Sequence, residues 1–134
     1  MKEGWIDDDY LILFEDFEQA EITKGYKLEK YLPGYMITTI LGWDDFIVTN
    51  SAGDQYRVPA VPLGQKYLEK YKKAYSSGQL ETDNRYAGKI KWYVQPIVFG
   101  GDPAAKENMT WIDLKMHQEL VIWWNEKYRQ LTVE

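Results

Sequence analysis

The sequence predicts an α+β fold in a single domain, a mainly antiparallel β-sheet with helices packed against it and a long C-terminal helix. Three observations predict it. Between Tyr35 and Val58, three β-rich runs alternate with short turn segments, the pattern of an antiparallel meander. Between Leu114 and Leu131, apolar side chains recur at steps of three and four, the period of one helix face. The chain has 134 residues, of which 45% are hydrophobic and 16% aromatic, enough for one core and too few for two ordinary domains.

Taken in order, Asp7, Asp8 and Asp9 form a polar break before the apolar run Tyr10 to Phe14, which reads as a strand. Glu15 or Asp16 opens a short helix through Phe17, Ala20 and Glu21, since acids suit the first turn, and Gly25 suits its C-terminus. Tyr26 to Leu32 reads as a further helical turn or two, stopped by Pro33 and Gly34. The meander then runs as Tyr35 to Leu41, Phe46 to Asn50 and Gln55 to Val58. Ser51 to Asp54 is its four-residue hairpin loop, and Pro59 and Pro62 bracket its exit.

Residues 65–75 read as a helix, because Tyr67, Leu68, Tyr71 and Tyr75 fall at helical spacing before Ser76, Ser77 and Gly78. Residues 79–89 lack a period and read as a loop. Lys89 to Phe99 is extended, with Pro96 marking a bend or an edge. Gly100 to Pro103 is a sharp turn, and Thr110 to Ile112 a short strand. Asp113 is suited to cap the last helix. Its stripe is Leu114, His117, Val121, Trp124, Tyr128 and Leu131, widened by Leu120 and Trp123.

Composition narrows the function. There is no cysteine, which excludes a disulfide scaffold, a thiolate nucleophile and a Cys-ligated metal. No apolar run reaches the ~18 residues of a membrane helix, and no signal-like stretch opens the chain, so a cytoplasmic location with no membrane contact is expected. The net charge is −5, and residues 1–30 carry all of it, with nine acidic and four basic side chains. The one basic run, Lys66, Lys70, Lys72 and Lys73, is too short for a nucleic-acid footprint and reads as a solvated face. No nucleic-acid partner is expected.

The residues that could carry chemistry are few. His117 is the only histidine and lies on an apolar stripe, the usual place of a hydrogen-bonded core residue. One histidine and no cysteine leave no zinc set, and no cofactor or metal is expected. A Ser–His–Asp triad would need Ser51, Ser76 or Ser77, none of them in a nucleophile-elbow context. Asp44, Asp45 and Asp54 could pair as hydrolytic carboxylates but sit at turns, where aspartate ordinarily bonds nearby amides. Asp7 to Asp9 lack the glycine and the closing glutamate of a calcium loop, and Gly100, Gly101 and Asp102 do not spell a phosphate loop. No catalytic residue is assigned.

One stretch carries a resemblance. Gly4, Trp5 and Ile6, then Tyr10 to Leu13, an acidic short helix, the run Gly25 to Gly34, the hairpin Tyr35 to Val58 and its exit Val61, Pro62 and Leu63 resemble the SMI1/KNR4 (SUKH) superfamily. The stretches Pro96 to Pro103, Asn108 to Ile112 and Trp123 to Arg129 are similar to tails of bacterial proteins of this kind. The resemblance implies an α+β domain that acts by binding. Many bacterial members are thought to be immunity proteins that neutralise toxins delivered by neighbouring cells, and fungal relatives regulate cell-wall synthesis through protein contacts. It carries over no catalytic residues.

Two functions are therefore expected. The first is a non-catalytic protein-binding domain of immunity type, with a basic toxin domain as partner and Trp5, Asp7, Asp8, Asp9, Trp43, Asp44 and Asp45 as contact residues. The second is a small hydrolase of sugar or phosphate esters using Asp44, Asp45 or Asp54 with His117. An accessory domain that assembles with itself, as a homodimer through an aromatic face, is a further alternative.

Overall fold

The computed structural model describes residues 1–42, 45–73 and 77–132. Its main sheet has six strands in sequential order, all antiparallel: β1 (Lys2–Ile6), β2 (Asp9–Leu13), β3 (Met36–Leu41), β4 (Asp45–Thr49), β5 (Gln55–Pro59) and β6 (Glu69–Lys70). Between β2 and β3 the chain makes α1 (Asp16–Gly25) and a 3-10 turn at Leu28–Lys30. A separate two-stranded ladder joins β7 (Lys89–Tyr93) to β8 (Met109–Asp113), and α2 (Leu114–Thr132) follows at once. The α+β architecture with a long last helix is thus as the sequence predicts. Among the described residues no helix is long and apolar enough to cross a membrane.

The α1 start follows from its acids. Glu15 and Glu18 form a reciprocal capping box, each side chain taking the other's backbone N–H. Phe17, expected within the helix, points to water at 81% exposure. Thr23 Oγ1 accepts from the Ile37 amide at 2.8 Å and ties α1 to the start of β3.

The main core lies on one face of the sheet. Ile12, Phe14, Ile37, Ile40, Phe46, Val48 and Val58 meet Tyr26, Leu28, Leu32, Trp92, Ile112 and Val121 there. Ile37 and Ile40 are three residues apart, while their partners Val48 and Phe46 are two apart. A bulge between Ile37 and Thr39 absorbs the odd residue and lets both isoleucines face the same core. On the opposite face Leu11, Leu41 and Ile47 form a smaller cluster covered by Ile6, Tyr71 and Leu80. Asn125 is the polar fixture of the core. It accepts from the Leu63 amide at 2.7 Å and donates to the carbonyls of Ala60 at 2.7 Å and Val121 at 2.8 Å.

Several elements differ from expectation. The expected helix over 65–75 is not formed by the described part of it, residues 65–73: a 3-10 turn at Gln65–Tyr67 gives way to β6, which pairs with Tyr56 and Arg57, while Ala74 and Tyr75 lie outside the described residues. The strand β1 was not anticipated, and Tyr26 to Leu32 holds only the one 3-10 turn. Extension from Lys89 stops at Tyr93, and Ile97–Phe99 is a 3-10 turn. The hairpin loop is one residue longer, Asn50 to Asp54, because the Asn50 side chain accepts from the amides of Ala52 and Asp54. On α2, Leu131 and Trp123 are exposed and do not join the buried stripe.

Candidate protein-docking end of the sheet

The β1–β2 hairpin pairs Ile6 with Asp9, so Asp7 and Asp8 alone make its turn. Asp7 has φ +53°, the left-handed region that aspartate tolerates better than most side chains. Asp7, Asp8 and Asp9 are all exposed. Asp9 leans over Gly42, where a Cβ would come within 2.8 Å of its Oδ1, so the approach depends on glycine. Among the described residues none of the three carboxylates forms an ion pair.

Asp45 is placed differently. It starts β4 and its Oδ2 accepts from Arg57 through Nε at 3.1 Å and through Nη2. Burial pushes its carboxyl above the usual aspartate range, the Arg57 contacts pull it back, and the charges of Asp9 and Glu69 add to the rise. Its charge is therefore cancelled within the fold. Trp43 and Asp44 lie outside the described residues. Burial holds Lys91 of β7 below the usual lysine range, opposed by the charges of Asp9 and Asp8, so Lys91 shares this end of the molecule.

Beside the turn lies an aromatic cluster that sequence reasoning did not assemble. Trp5 faces Tyr10, its cross-strand partner, edge-on at 5.2 Å between centroids. Both meet Trp111 of β8, at 6.2 and 5.7 Å, and Tyr86 stacks on Trp111 at 3.9 Å. The polar tips are satisfied. Trp5 Nε1 donates to Asp83 at 3.2 Å, and the Tyr10 hydroxyl donates to Glu3 at 2.9 Å. Burial, then the bond to Glu3, pushes the Tyr10 hydroxyl up to about 12. Arg85 grips Asp83 with two nitrogens, at 3.1 and 2.8 Å, and holds that carboxyl well below the usual range. The Arg85 guanidinium also lies 5.1 Å from the Tyr86 ring centroid. Trp5, Tyr86 and Trp111 remain half-exposed, so the cluster is both a brace and a partly open aromatic surface.

Of the expected contact residues, the structure thus gathers Trp5, Asp7, Asp8 and Asp9 and removes Asp45 into an ion pair. Tyr86, Trp111 and Lys91 were missed because they lie 80 or more positions downstream of Trp5, with no local pattern linking them.

Of the carboxylates named with His117 for a hydrolase, Asp45 and Asp54 lie apart from it, and Asp44 lies outside the described residues. His117 has 0% exposure, with its Nδ1 2.6 Å from the Tyr26 hydroxyl and its ring between Phe46 and Trp92. Asp45 follows the strand alternation to the face opposite Phe46. Asp54 sits in the hairpin loop, where Asn50 Nδ2 donates to it at 3.4 Å. Among the described residues no group of three or more His, Asp or Glu is placed to hold a metal ion. No protein-family model, curated protein or solved structure matches the chain. The SUKH resemblance rests on the sequence features that carry it.

Proposed function

We propose that this chain is a non-catalytic protein-binding domain that engages a basic partner through the β1–β2 end of its sheet. The observation that carries this reading is the exposed trio Asp7, Asp8 and Asp9, unpaired within the described fold and set beside the braced ring cluster of Trp5, Tyr86 and Trp111. Adjacent exposed carboxylates outside any ion pair raise the encounter rate with a cationic surface, and half-exposed tryptophan and tyrosine supply contact area with little entropy to lose. The SUKH resemblance narrows the partner class to a toxin domain and the role to immunity. A cytoplasmic site of action goes with this reading and is compatible with the absence of cysteine.

The test is capture of partners from cells on the tagged chain, alongside a panel of basic nuclease-type toxin domains in a binding assay. Lysine substitution at Asp7, Asp8 and Asp9 together is expected to slow association at least tenfold at low salt, with a smaller effect at 0.5 M salt. Unchanged association in the triple variant would remove this end of the sheet from the interface.

A further inference from the structure

A cleft opens between the 3-10 turns at Leu28–Lys30 and Gln65–Tyr67 and the last turns of α2. Lys30, Tyr31, Lys66, Tyr67, Tyr128 and Arg129 line it, and its volume is about 420 Å³. Small-molecule sites run from about 300 to 1,000 Å³. Among the described residues no carboxylate lines it.

The walls are fixed from within. Asn125, buried in the core, holds the Leu63 amide and the Ala60 carbonyl, each at 2.7 Å, and so sets the chain that leads into the cleft. Gly64 lets the Tyr67 ring approach, since a Cβ there would lie 3.3 Å from it. The Tyr67 and Tyr128 hydroxyls are hydrogen-bonded at 2.7 Å and tie one wall to the other. Tyr31 donates to Glu126 at 3.0 Å, and Lys30 pairs with the same carboxylate oxygen. Rings held in this way need little ordering when a ligand arrives.

The cations sit over the rings. The Arg129 guanidinium is 5.3 Å from the Tyr31 centroid, and the Lys66 ammonium is 5.1 Å from the Tyr67 centroid. Among the described residues neither forms an ion pair. A guanidinium over a ring still presents its N–H edges to an oxyanion. The bond with Tyr128 holds the Tyr67 hydroxyl below the usual tyrosine range; burial opposes this, and Lys66 adds to the lowering.

Charge and size choose the ligand. Lys30, Lys66 and Arg129 face one nearby carboxylate, Glu126, which leaves two positive charges in a chain whose net charge is −5. A phosphate monoester carries about −1.5 to −2 at pH 7 and three acceptor oxygens, where a carboxylate carries a single charge. The cleft is larger than a bare phosphate fills, and its tyrosines offer apolar surface to an organic group.

We propose that this cleft binds a small phosphate monoester, its phosphoryl group held by Arg129 and Lys66 and its organic part lying against Tyr67 and Tyr128. The site shares no residue with the acidic turn and does not depend on the proposed basic partner.

Phenyl phosphate is the probe, titrated to about 10 mM into the ¹⁵N-labelled chain and followed by amide chemical shifts. Saturable shifts are expected, largest at Gly64, Tyr67 and Arg129 and smallest at Asp7 and Asp8. Arg129→Gln and Lys66→Gln should each weaken binding at least fivefold with unchanged circular dichroism. Lys127→Gln, on the same helix and exposed but outside the cleft, should leave it unchanged. Benzoate and inorganic phosphate should each bind at least fivefold more weakly than phenyl phosphate. No saturable shift in the cleft would overturn the proposal, and so would binding indifferent to both substitutions. Benzoate or inorganic phosphate binding as tightly as phenyl phosphate would overturn the assignment to a phosphate monoester.

Discussion

His117 shows what a single buried side chain does to the pH response of this molecule. Its ring is enclosed by Tyr26, Phe46 and Trp92, and the 2.6 Å bond to the Tyr26 hydroxyl is its one polar contact, Nε2 having no partner among the described residues. Burial lowers its pKa to about 3. The unfolded chain takes up the proton near pH 6.5, so between about pH 6.5 and 3 the unfolded state binds more protons than the folded one. The contribution of neutral His117 is therefore fully present above about pH 6.5 and declines by up to about 1.4 kcal/mol per unit as pH falls below it. Replacing His117 with Phe removes the titration but strands the Tyr26 hydroxyl, costing about 1–3 kcal/mol at neutral pH. Denaturant melts at pH 7.5 and 4.5 should show the stability gap between wild type and His117→Phe narrowing as pH falls. Parallel losses in the two proteins would mean that His117 is not the titrating group. The core role of this residue was legible from its place on an apolar stripe. The exposed Asp7, Asp8 and Asp9 were legible from their adjacency. The capture of Asp45 by Arg57 was not, because the two meet only through the pairing of β4 with β5.

At the scale of elements, the chain is readable wherever one local pattern decides the outcome. The start of α2 is such a place: Asp113 Oδ1 accepts from the Met116 amide at 2.8 Å, satisfying a donor that the first helical turn leaves open. Asp113→Ala should cost about 1 kcal/mol, and Asp113→Asn should restore most of it, both measured as shifts in the denaturant midpoint. Equal losses in the two variants would show that Asp113 acts otherwise than as a cap. Residues 65–75 show the opposite case. Tyr67, Leu68 and Tyr71 have helical spacing, yet Tyr67 and Leu68 pack on the main core while Tyr71 crosses to the cluster on the other face of the sheet. A helix would hold them on one side, and the sheet edge distributes them to two. β1 was hidden for a related reason. It contains Gly4, a poor strand former, whose missing side chain is what admits the backbone of Glu81, since a Cβ there would lie 2.6 Å from the Glu81 nitrogen. The bridge Trp5 to Glu81 that this permits is long-range and has no signature in the local sequence.

At the scale of the whole molecule, two sheets must act as one body for the acidic turn to be presented rigidly, and the aromatic cluster is what couples them. Trp5 and Tyr10 belong to the six-stranded sheet, Trp111 to the β7–β8 ladder, and Tyr86 to the segment that joins them. Six ring pairs fall within 6.2 Å among these four residues. Such pairs are worth about 0.5–1.5 kcal/mol each beyond buried area, but they share atoms and do not add. Glu3 reinforces the joint, since its carboxylate accepts both from Tyr10 and from the Gly88 amide at 2.8 Å. Trp111→Ala leaves the main core on the far side of the ladder intact while removing the central ring of the joint. It should cost about 2–3 kcal/mol, less than a fully buried tryptophan because Trp111 is half-exposed. The loss should also be unevenly spread. Hydrogen exchange should accelerate at least tenfold at Trp5, Glu81 and Gly88, whose amides depend on this joint, and change least at Val121 and Asn125 in the middle of α2. Uniform acceleration would instead identify Trp111 as a contributor to global stability alone. With the joint loosened, the β1–β2 turn loses its support, so the same variant should also weaken binding of the proposed basic partner without altering any of the three carboxylates.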